Sequence, residues 1–416
     1  MTKRIEPFNY SGCITANSSK SYAQRAFILS LLSKSKSFIF NSDESNDVKA
    51  IKNCIQQLGA TINQIENGFE IIPPAHKVNQ PIELNVGESG LALRMLGIVA
   101  THFSADITIN GEGTLLKRSQ KHLIGVLEQL GLFVSHSDFH LPIQIKGKIT
   151  NHRIEIDASE SSQVLSGLIL TLPLLEKDTE LTIKNIASLP YFEMTIDIMQ
   201  RFGIDLSTKL ETSFNIIGNQ NYSGCEYSVE GDWSGAANHL VGAAISGEIE
   251  LIGLKTNSKQ SDKAILNALE IFGARIEIMS KDASEIICVS KNRANPFEFD
   301  ITHCPDLFPV LAILAAAAKG KSSIIGIHRL ENKESNRLIS VTKMLQVFNV
   351  PFYIENDSIE IFGHGFVTGG KIESFYDHRI AMAATVGACI ADAVVEIDDS
   401  KCVKKSYPEF FLDLNL

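Results

Sequence analysis

One arrangement of apolar and polar residues recurs six times along this sequence. Each copy has a cluster of small or polar residues, an apolar run of helix length, a β-rich segment and a second, amphipathic helix. All but the sixth copy continue into short strand-like runs that can form a hairpin. The apolar runs begin at Ser21, Ser89, Ser161, Ser234, Asp306 and Asp377, which places them 68 to 73 residues apart. So constant a period predicts a repeat architecture.

In the first five copies the second helix has apolar residues at the 3.6-residue period and ends at a residue that tolerates left-handed backbone. A tight hairpin turn is predicted at Asn67-Gly68. In the sixth copy the second helix is predicted in "KKSYPEFFLDL". The predicted ends of the other five are Gly59, Gly131, Gly203, Gly273 and Asn349.

The repeats also predict the domain organisation. The sixth copy reaches the end of the chain before its hairpin, and the strand-like N-terminal stretch "RIEPFNYSGCITA" has no copy of its own. We therefore expect that stretch to complete the sixth copy. The prediction is an α/β fold in two lobes, with copies one to three in 16–226. Copies four to six occupy 227–416 together with 1–15, and the active site lies in the cleft between the lobes.

Composition narrows the function classes. The 416 residues carry a net charge of −10, which argues against nucleic acid or an anionic membrane as the partner. The longest apolar runs fall short of the roughly 20 residues of a membrane span, and the N-terminus lacks a signal-peptide core. Seven cysteines without a CxxC pair and scattered histidines predict reduced thiols and no metal site. We expect a cytoplasmic monomer.

Candidate chemistry concentrates at the starts of the first helices. There the sequence reads "SSKSYAQR", "GESGLALR", "SESSQ" and "YDHR". A helix N-terminus offers free N–H groups to an anion. Loops before the second helices add further cations. If these cations lie unpaired in one cleft, they repel each other until a polyanion binds. The cations concerned are Lys20, Arg25, Arg118, Lys333, Arg337, Arg379 and Lys405.

Purely structural roles are open for the same residues. Serines at a helix start are commonly N-caps, and Asp377 is a candidate cap as well. The "KESNR" segment could be a solvated helix face. Arg94, inside an apolar run, could pair with a carboxylate, and His378 could be a buried, hydrogen-bonded histidine rather than a catalyst.

The segments "SSKSYAQRA", "GESGLALR", "SSQVLSGL", "EGDWSGAANHL", "KESNRL", "YDHRIAMA" and "KKSYPEFF" occur in an order and spacing that resembles the enolpyruvyl transferases. The resemblance covers essentially the whole chain. It implies an inside-out α/β barrel in each lobe, built of three βαβαββ units. It also implies transfer of the carboxyvinyl group of phosphoenolpyruvate to the 5-hydroxyl of shikimate 3-phosphate, with release of phosphate and no metal or organic cofactor.

Residue by residue, the resemblance implies three catalytic groups: Asp306 as the base, Glu334 as the proton shuttle and Lys20 between the substrates. The implied contacts of shikimate 3-phosphate are Lys20, Ser21, Arg25, Ser161, Ser162, Gln163, Ser188, Tyr191, Asp306 and Lys333. Those of phosphoenolpyruvate are Lys20, Gly90, Arg118, Gln163, Arg337, Arg379 and Lys405. Gly90 would be a close wall that a side chain would crowd.

Departures and rivals complete the expectations. Glu88 and Ser89 replace the usual residues of the glycine loop, and Glu88 is expected to bring negative charge near the phosphoenolpyruvate pocket. Around 329–332 the acceptor-side residues differ from the family pattern. One rival is the sister transferase that uses UDP-N-acetylglucosamine, but its usual cysteine is absent from 113–121. A non-catalytic homologue is the other, and the retained catalytic groups argue against it.

Overall fold

The computed structural model describes residues 1–76, 78, 80–159, 162–186, 188–206, 213–281 and 284–416. The chain divides into two compact units. The terminal unit contains Met1–Asn17 and Glu230–Leu416, and the inner unit is Ser18–Val229. Within the described ranges, no helix is both long and apolar enough to cross a membrane.

Both units contain helices and strands. The helices are α1 Lys20–Leu32, α2 Asn46–Gln57, α3 Gly90–Val99, α4 Lys121–Gln129, α5 Ser162–Thr171, α6 Leu189–Arg201, α7 Trp233–Ser246, α8 Ile265–Phe272, α9 Phe308–Ala317, α10 Arg337–Val347, α11 His378–Gly387 and α12 Phe410–Asp413. The strands are β1 Lys3–Ile5, β2 Cys13–Thr15, β3 Ser37–Phe40, β4 Thr61–Ile65, β5 Gly68–Ile72, β6 Ile82–Asn85, β7 Asp106–Asn110, β8 Phe133–Ser137, β9 His140–Lys146, β10 Arg153–Asp157, β11 Thr179–Lys184, β12 Ser213–Ile216, β13 Glu226–Ser228, β14 Glu248–Ile252, β15 Arg275–Lys281, β16 Ser284–Ser290, β17 Glu298–Asp300, β18 Lys319–Ile325, β19 Phe352–Glu355, β20 Ser358–His364, β21 Gly370–Ile372 and β22 Val395–Ile397.

The predicted repeat is present as a βαβαββ unit. In the second copy, β6 and β7 run parallel with α3 between them, and β9 pairs antiparallel with both β7 and β8. The resulting sheet order is β6-β7-β9-β8, and the fifth copy repeats it as β17-β18-β20-β19. Two parallel strands need a crossover connection, which the first helix of each copy supplies.

Two strands lie in the sheet of a copy other than the one they lead into. β2 precedes α1 but pairs parallel with β14, in the sheet β15-β16-β14-β2. β13 precedes α7 but pairs parallel with β3 of the first copy. The N-terminal stretch therefore divides: β1 pairs antiparallel with β22 of the sixth copy, whereas the expectation that β2 also completes that copy is wrong.

The first helices form the core of each unit. α1 is buried from Tyr22 to Leu32, and every residue of α9 is buried. In the terminal unit α7, α9 and α11 pack on one another, and in the inner unit α3 packs against α1 and α5. A helix that is apolar on all sides belongs inside a protein. The helix-centred arrangement expected from the sequence is confirmed, and it places the polar helix starts at the ends of buried helices.

The predicted ends of the second helices are confirmed for five copies. Gly59, Gly131, Gly203, Gly273 and Asn349 have φ values of 99°, 86°, 89°, 93° and 54°. The predicted second helix of the sixth copy is wrong. It is split into a 3-10 turn, Ser400–Lys405, and the short α12. Pro408 separates them, because proline lacks the N–H that a continuous helix would need.

The first hairpin turns one residue earlier than predicted. Ile65 pairs with Gly68, so Glu66 and Asn67 form the turn, and Asn67 has a φ of 58°. Gly68 is the first residue of β5 instead. A Cβ built on it would lie 2.3 Å from the carbonyl oxygen of Ile39. Glycine is needed here because two backbones approach closely.

Replacing Gly68 with alanine should therefore destabilise the chain. The added methyl cannot avoid the Ile39 carbonyl, and overpacking of this kind costs about 1–3 kcal/mol. Gly125→Ala is the matched control, since its Cβ would meet nothing within 4 Å in α4 and alanine favours a helix by up to about 1 kcal/mol. Urea unfolding measures both. Equal effects of the two substitutions would contradict the packing role of Gly68.

Candidate functional site

Three helix starts of the terminal unit bring charged residues together. Asp306 lies in a 3-10 turn, Pro305–Leu307, directly before α9. Arg337 is the first residue of α10, and Asp377 and Arg379 lie at the start of α11. All these positions were predicted as helix starts or the loops before them. Their side chains form one ion-pair cluster.

Arg337 is the centre of this cluster. Its side chain is 1% exposed, and it donates to three carboxylates. The donor–acceptor distances are 2.5 Å to Asp306, 2.7 Å to Glu334 and 3.0 Å to Asp377. Burial alone would lower the pKa of Arg337, but the three carboxylates raise it above its ordinary value. The guanidinium is therefore a permanent buried charge, and the prediction that "KESNR" could be a solvated face is wrong.

Asp306 has cationic partners on several sides. Besides Arg337, it accepts from Arg379 at 2.7 Å, and the Lys333 ammonium lies 3.8 Å away. Although burial opposes ionisation, Arg379, Arg337 and Lys333 hold the pKa of Asp306 well below its ordinary value. Burial, aided by Arg337 and Arg329, lowers the pKa of Lys333 to about 8. In this arrangement Asp306 is an anion and a weak base.

The two carboxylate oxygens of Asp377 make different contacts. One carboxylate oxygen accepts from the backbone N–H of Arg379 at 3.0 Å, so its predicted role as the cap of α11 is confirmed. The other oxygen accepts from Arg337 and, at 3.1 Å, from Ser335. The side chain of His378 is fully buried behind this cap, with Nδ1 3.8 Å from the Asp377 carboxylate. Lys405 is also buried, at the end of its 3-10 turn.

Among the buried carboxylates that sequence reasoning missed, Asp262 lies beside this cluster. It is 1% exposed and accepts a hydrogen bond from the Ser234 hydroxyl. Burial and the charge of Asp306 raise the pKa of Asp262 to about 6, with Arg379 opposing that shift. The signal was available, because Asp262 lies in the loop before a second helix, as Arg118 and Lys333 do in their copies.

The inner unit contains a second set of predicted residues around α1. Lys20 forms an ion pair of 3.1 Å with Asp47, and both side chains are largely buried. Ser19 occupies the N-cap position, but its buried hydroxyl makes no cap bond and has no partner among the described residues. The alternative that these serines serve as caps is thus wrong for Ser19, whereas Ser89 does cap α3 by accepting from Ala92.

Arg25 is buried among neutral oxygens. It donates to the Thr195 hydroxyl at 2.8 Å and to the Ser21 carbonyl at 2.8 Å. Longer contacts of 3.4 Å reach the Tyr191 carbonyl and the Ser166 hydroxyl. Burial lowers the pKa of Arg25 to about 10, so it remains charged at neutral pH. Of these four partners, Ser21 and Tyr191 were predicted to bind the acceptor, and both contact the buried cation through their backbone carbonyls.

Other predicted residues of the inner unit lie at the starts of α5 and α6. Ser162 is the first residue of α5. Ser188 occupies the N-cap position of α6, with a left-handed φ of 60°. Ser161 lies outside the described residues.

A pair of arginines converges on Gly90. A Cβ built there would lie 3.0 Å from Nη1 of Arg94 and 3.1 Å from Nη1 of Arg118. Arg94 also donates to the Gln163 side chain at 2.7 Å. Gly90, Arg118 and Gln163 were all predicted to contact one anionic ligand, and here they occupy one neighbourhood at the start of α3. Two guanidiniums beside a residue without a side chain suit a small anion.

The cations expected to be unpaired are in part neutralised. Lys20 pairs with Asp47, and Arg337, Arg379 and Lys333 face Asp306. The expectation that these four cations are unpaired and repel each other is wrong. Among the described residues no cluster of histidine, cysteine, aspartate and glutamate has a geometry that could hold a metal ion.

Comparison with known proteins identifies the family. Residues 6–414 match the model of EPSP synthase (3-phosphoshikimate 1-carboxyvinyltransferase). The chain belongs to the EPSP synthase family. The 3-phosphoshikimate 1-carboxyvinyltransferase of Clostridium acetobutylicum is 34% identical over 416 residues, which cover 99% of this chain and 96% of that protein. Its counterpart from Methanocorpusculum labreanum is 32% identical, over 97% and 95% of the two chains.

A solved structure agrees on the fold. The EPSP synthase of Acinetobacter baumannii superposes with a TM-score of 0.80 at 24% identity, over 100% of this chain and 97% of that one. At so low an identity the likeness concerns the fold, and it agrees with the two-lobed βαβαββ fold of EPSP synthases expected from the sequence.

The raised pKa of Asp262 predicts a specific pH dependence of stability. Its folded pKa of about 6 exceeds the ordinary value of 3.8, so the folded state binds the proton more tightly. The stabilisation of the folded state by this bound proton is complete below pH 3.8 and is lost as the pH rises through 6. Relative to Asp262→Asn, the wild-type free energy of unfolding should therefore fall between pH 4 and pH 7 in urea titrations.

The control is Asp205→Asn, which removes an exposed carboxylate that accepts from Gln200 in the inner unit. Its difference from the wild type should not grow over the same pH range. A constant difference for Asp262→Asn would contradict the assigned environment of that carboxylate.

Proposed function

We propose that this chain transfers the carboxyvinyl group of phosphoenolpyruvate to the 5-hydroxyl of shikimate 3-phosphate, with release of phosphate, in aromatic amino-acid biosynthesis. Its membership of the EPSP synthase family supports this reaction, because its relatives are 3-phosphoshikimate 1-carboxyvinyltransferases. The observation that carries the proposal is the cluster of Asp306, Glu334, Arg337 and Arg379. It joins two carboxylates suited to proton transfer with two arginines suited to an anionic substrate.

The donor would bind through cations. Phosphoenolpyruvate has a phosphate and a carboxylate, which a planar guanidinium recognises through two parallel hydrogen bonds. Arg118, Arg337, Arg379 and Lys405 are the proposed ligands, with Gly90 as the close wall and Gln163 beside it. Since Arg337 and Arg379 both donate to Asp306, an incoming anion competes with that carboxylate.

This competition has a consequence for catalysis. The pKa of Asp306 is low because Arg379, Arg337 and Lys333 stabilise its anion against the cost of burial. A substrate anion that takes over the two arginines also neutralises their charge. The pKa of Asp306 then rises towards its ordinary value, and its basicity increases when the donor is in place.

The acceptor would bind mainly around α1. Arg25 holds its charge against neutral oxygens, so a phosphate group can supply the missing negative charge. Ser21, Ser161, Ser162, Gln163, Ser188 and Tyr191 are the proposed partners in the inner unit, and Lys333 and Asp306 those in the terminal unit. Lys20, now paired with Asp47, is proposed between the two substrates.

Proton transfers complete the proposed reaction. Asp306 accepts the proton of the 5-hydroxyl as its oxygen attacks C2 of phosphoenolpyruvate. Glu334, in its protonated form, delivers a proton to the methylene carbon and takes one back when the tetrahedral intermediate expels phosphate, which leaves with the proton that Asp306 had accepted. Orienting two substrates can supply roughly 7–11 kcal/mol of barrier reduction, so closure of two lobes over them is part of the proposal. The cleft, the monomeric state and the cytoplasmic location stay predictions.

A phosphate-release assay tests the function. With phosphoenolpyruvate and shikimate 3-phosphate together, the purified chain should release inorganic phosphate continuously, and omission of either substrate should abolish the release. UDP-N-acetylglucosamine as the alternative acceptor should give none. Turnover with the nucleotide sugar alone would overturn the proposal in favour of the sister transferase, and silence with both acceptors would favour a non-catalytic homologue.

The two proposed proton-transfer groups can be removed with little change of shape. Asp306→Asn and Glu334→Gln should each lower kcat by about 10²–10⁴-fold, the usual range for a general acid or base. The KM for phosphoenolpyruvate should not rise, because the lost charges compete with the substrate for Arg337. Steady-state kinetics measures both constants.

Matched controls are Asp357→Asn, at an exposed carboxylate that contacts His328, and Glu360→Gln, at a partly exposed carboxylate that accepts from Lys321. These variants should turn over normally. Near-normal kcat in Asp306→Asn or Glu334→Gln would refute the assigned role of that residue.

A further inference from the structure

The glycine loop 85–90 is bound to a second loop of the inner unit, 111–118. The backbone N–H of Thr114 donates to the Glu88 carboxylate at 2.8 Å. The backbone N–H of Glu112 donates to the Gly87 carbonyl, also at 2.8 Å, and Asn85 donates to the Glu112 side chain. Glu88 therefore does not stand alone in its loop, because its side chain is part of the connection between the two.

Gly113 is adapted to this carboxylate. Its φ is 54°, in the left-handed region that glycine occupies without strain. A Cβ built on it would lie 1.8 Å from Oε1 of Glu88, closer than any real contact. The Glu88 carboxylate thus fills the space that a side chain at 113 would need, and the two residues depend on each other.

The segment anchored by Glu88 leads directly to Arg118. Thr114 lies near the start of a 3-10 turn, Gly113–Lys117, and the backbone N–H of Arg118 donates to the Leu115 carbonyl at 3.2 Å. Nη1 of Arg118 in turn lies close to Gly90, two residues after Glu88. The glycine loop therefore contacts the turn at its beginning and at the guanidinium that follows its end.

We propose that Glu88 is a positioning residue for Arg118: it fixes the 3-10 turn so that the guanidinium lies beside Gly90 and Arg94. The identity of the anion, phosphoenolpyruvate, rests on the proposed function. The expectation that Glu88 brings negative charge near the donor pocket stays a prediction. The proposal gives its carboxylate a second, structural function, since it accepts from the backbone of the neighbouring loop. The effect of this anchoring on donor affinity is favourable.

Kinetics of three variants tests the proposal. Glu88→Ala removes the acceptor of the Thr114 N–H, and a hydrogen bond to a charged group is typically worth about a tenfold change or more. The KM for phosphoenolpyruvate should rise by about that factor, while the KM for shikimate 3-phosphate and kcat stay within roughly threefold. Glu88→Gln keeps an oxygen acceptor and should restore most of the donor affinity. Glu83→Gln alters a carboxylate on β6 that accepts a hydrogen bond from Asn110, and it should have no effect.

Amide hydrogen exchange provides a measurement that does not depend on turnover. The exchange of the Thr114 N–H should accelerate by about tenfold or more in Glu88→Ala and remain near the wild-type rate in Glu88→Gln and Glu83→Gln. Binding of inorganic phosphate, measured by calorimetry, should weaken in Glu88→Ala alone. If the wild type released no phosphate in the assay, the proposed function would fail, but exchange and phosphate binding would still decide the role of Glu88.

The contradicting outcomes are specific. Unchanged exchange at Thr114 in Glu88→Ala would show that the carboxylate does not anchor the turn. Faster exchange with unchanged phosphate binding, or in an active enzyme an unchanged KM for phosphoenolpyruvate, would show anchoring without any positioning of Arg118. A fall of kcat with both KM values unchanged would indicate loss of folded protein and would also overturn the proposal.

Discussion

The terminal unit depends on the neutralisation of one buried cation, Arg337. Removing one partner from a buried ion pair costs about 3–5 kcal/mol, because the other charge is left uncompensated in the interior. Asp306, Glu334 and Asp377 surround it at hydrogen-bond distance. Because Asp377 also caps α11, the same ion pairs fix the relative positions of two helix starts. The ion pairs that neutralise Arg337 therefore also determine the geometry of the cluster.

The inner unit accommodates a buried arginine in a different way. Arg25 donates to hydroxyl and carbonyl oxygens, which satisfy its N–H groups but do not cancel its charge. Accordingly, burial lowers the pKa of Arg25, whereas the carboxylates raise that of Arg337. An anion that reaches Arg25 gains a charge interaction without displacing a protein carboxylate. An anion that reaches Arg337 must replace one. Arg25 and Arg337 thus offer anionic groups unlike environments.

The sequence was informative wherever a local pattern decides the outcome. The period of the repeat, the starts of the first helices and the left-handed ends such as Gly59 and Asn349 follow from residues within one turn. The pairing of β2 with β14 is decided between strands more than 200 residues apart, and three-residue strands carry no signal for it. The local pattern predicts Gly68 in the turn. The reason that glycine is needed there, the close approach of the Ile39 carbonyl, is non-local as well.

The same distinction applies to the candidate site. The pattern of helix starts predicted Asp306 and Arg337, and the family resemblance added Glu334, but neither showed that Arg337 is neutralised by both carboxylates. In the proposed reaction, that arrangement couples acid–base chemistry to binding. While Arg337 and Arg379 hold Asp306, its low pKa makes it a poor base. In the proposed reaction, a donor anion that binds both arginines removes that restraint when the reacting carbon arrives. A base activated by the donor in this way avoids proton abstraction from a lone acceptor, so these ion pairs would set the order of events.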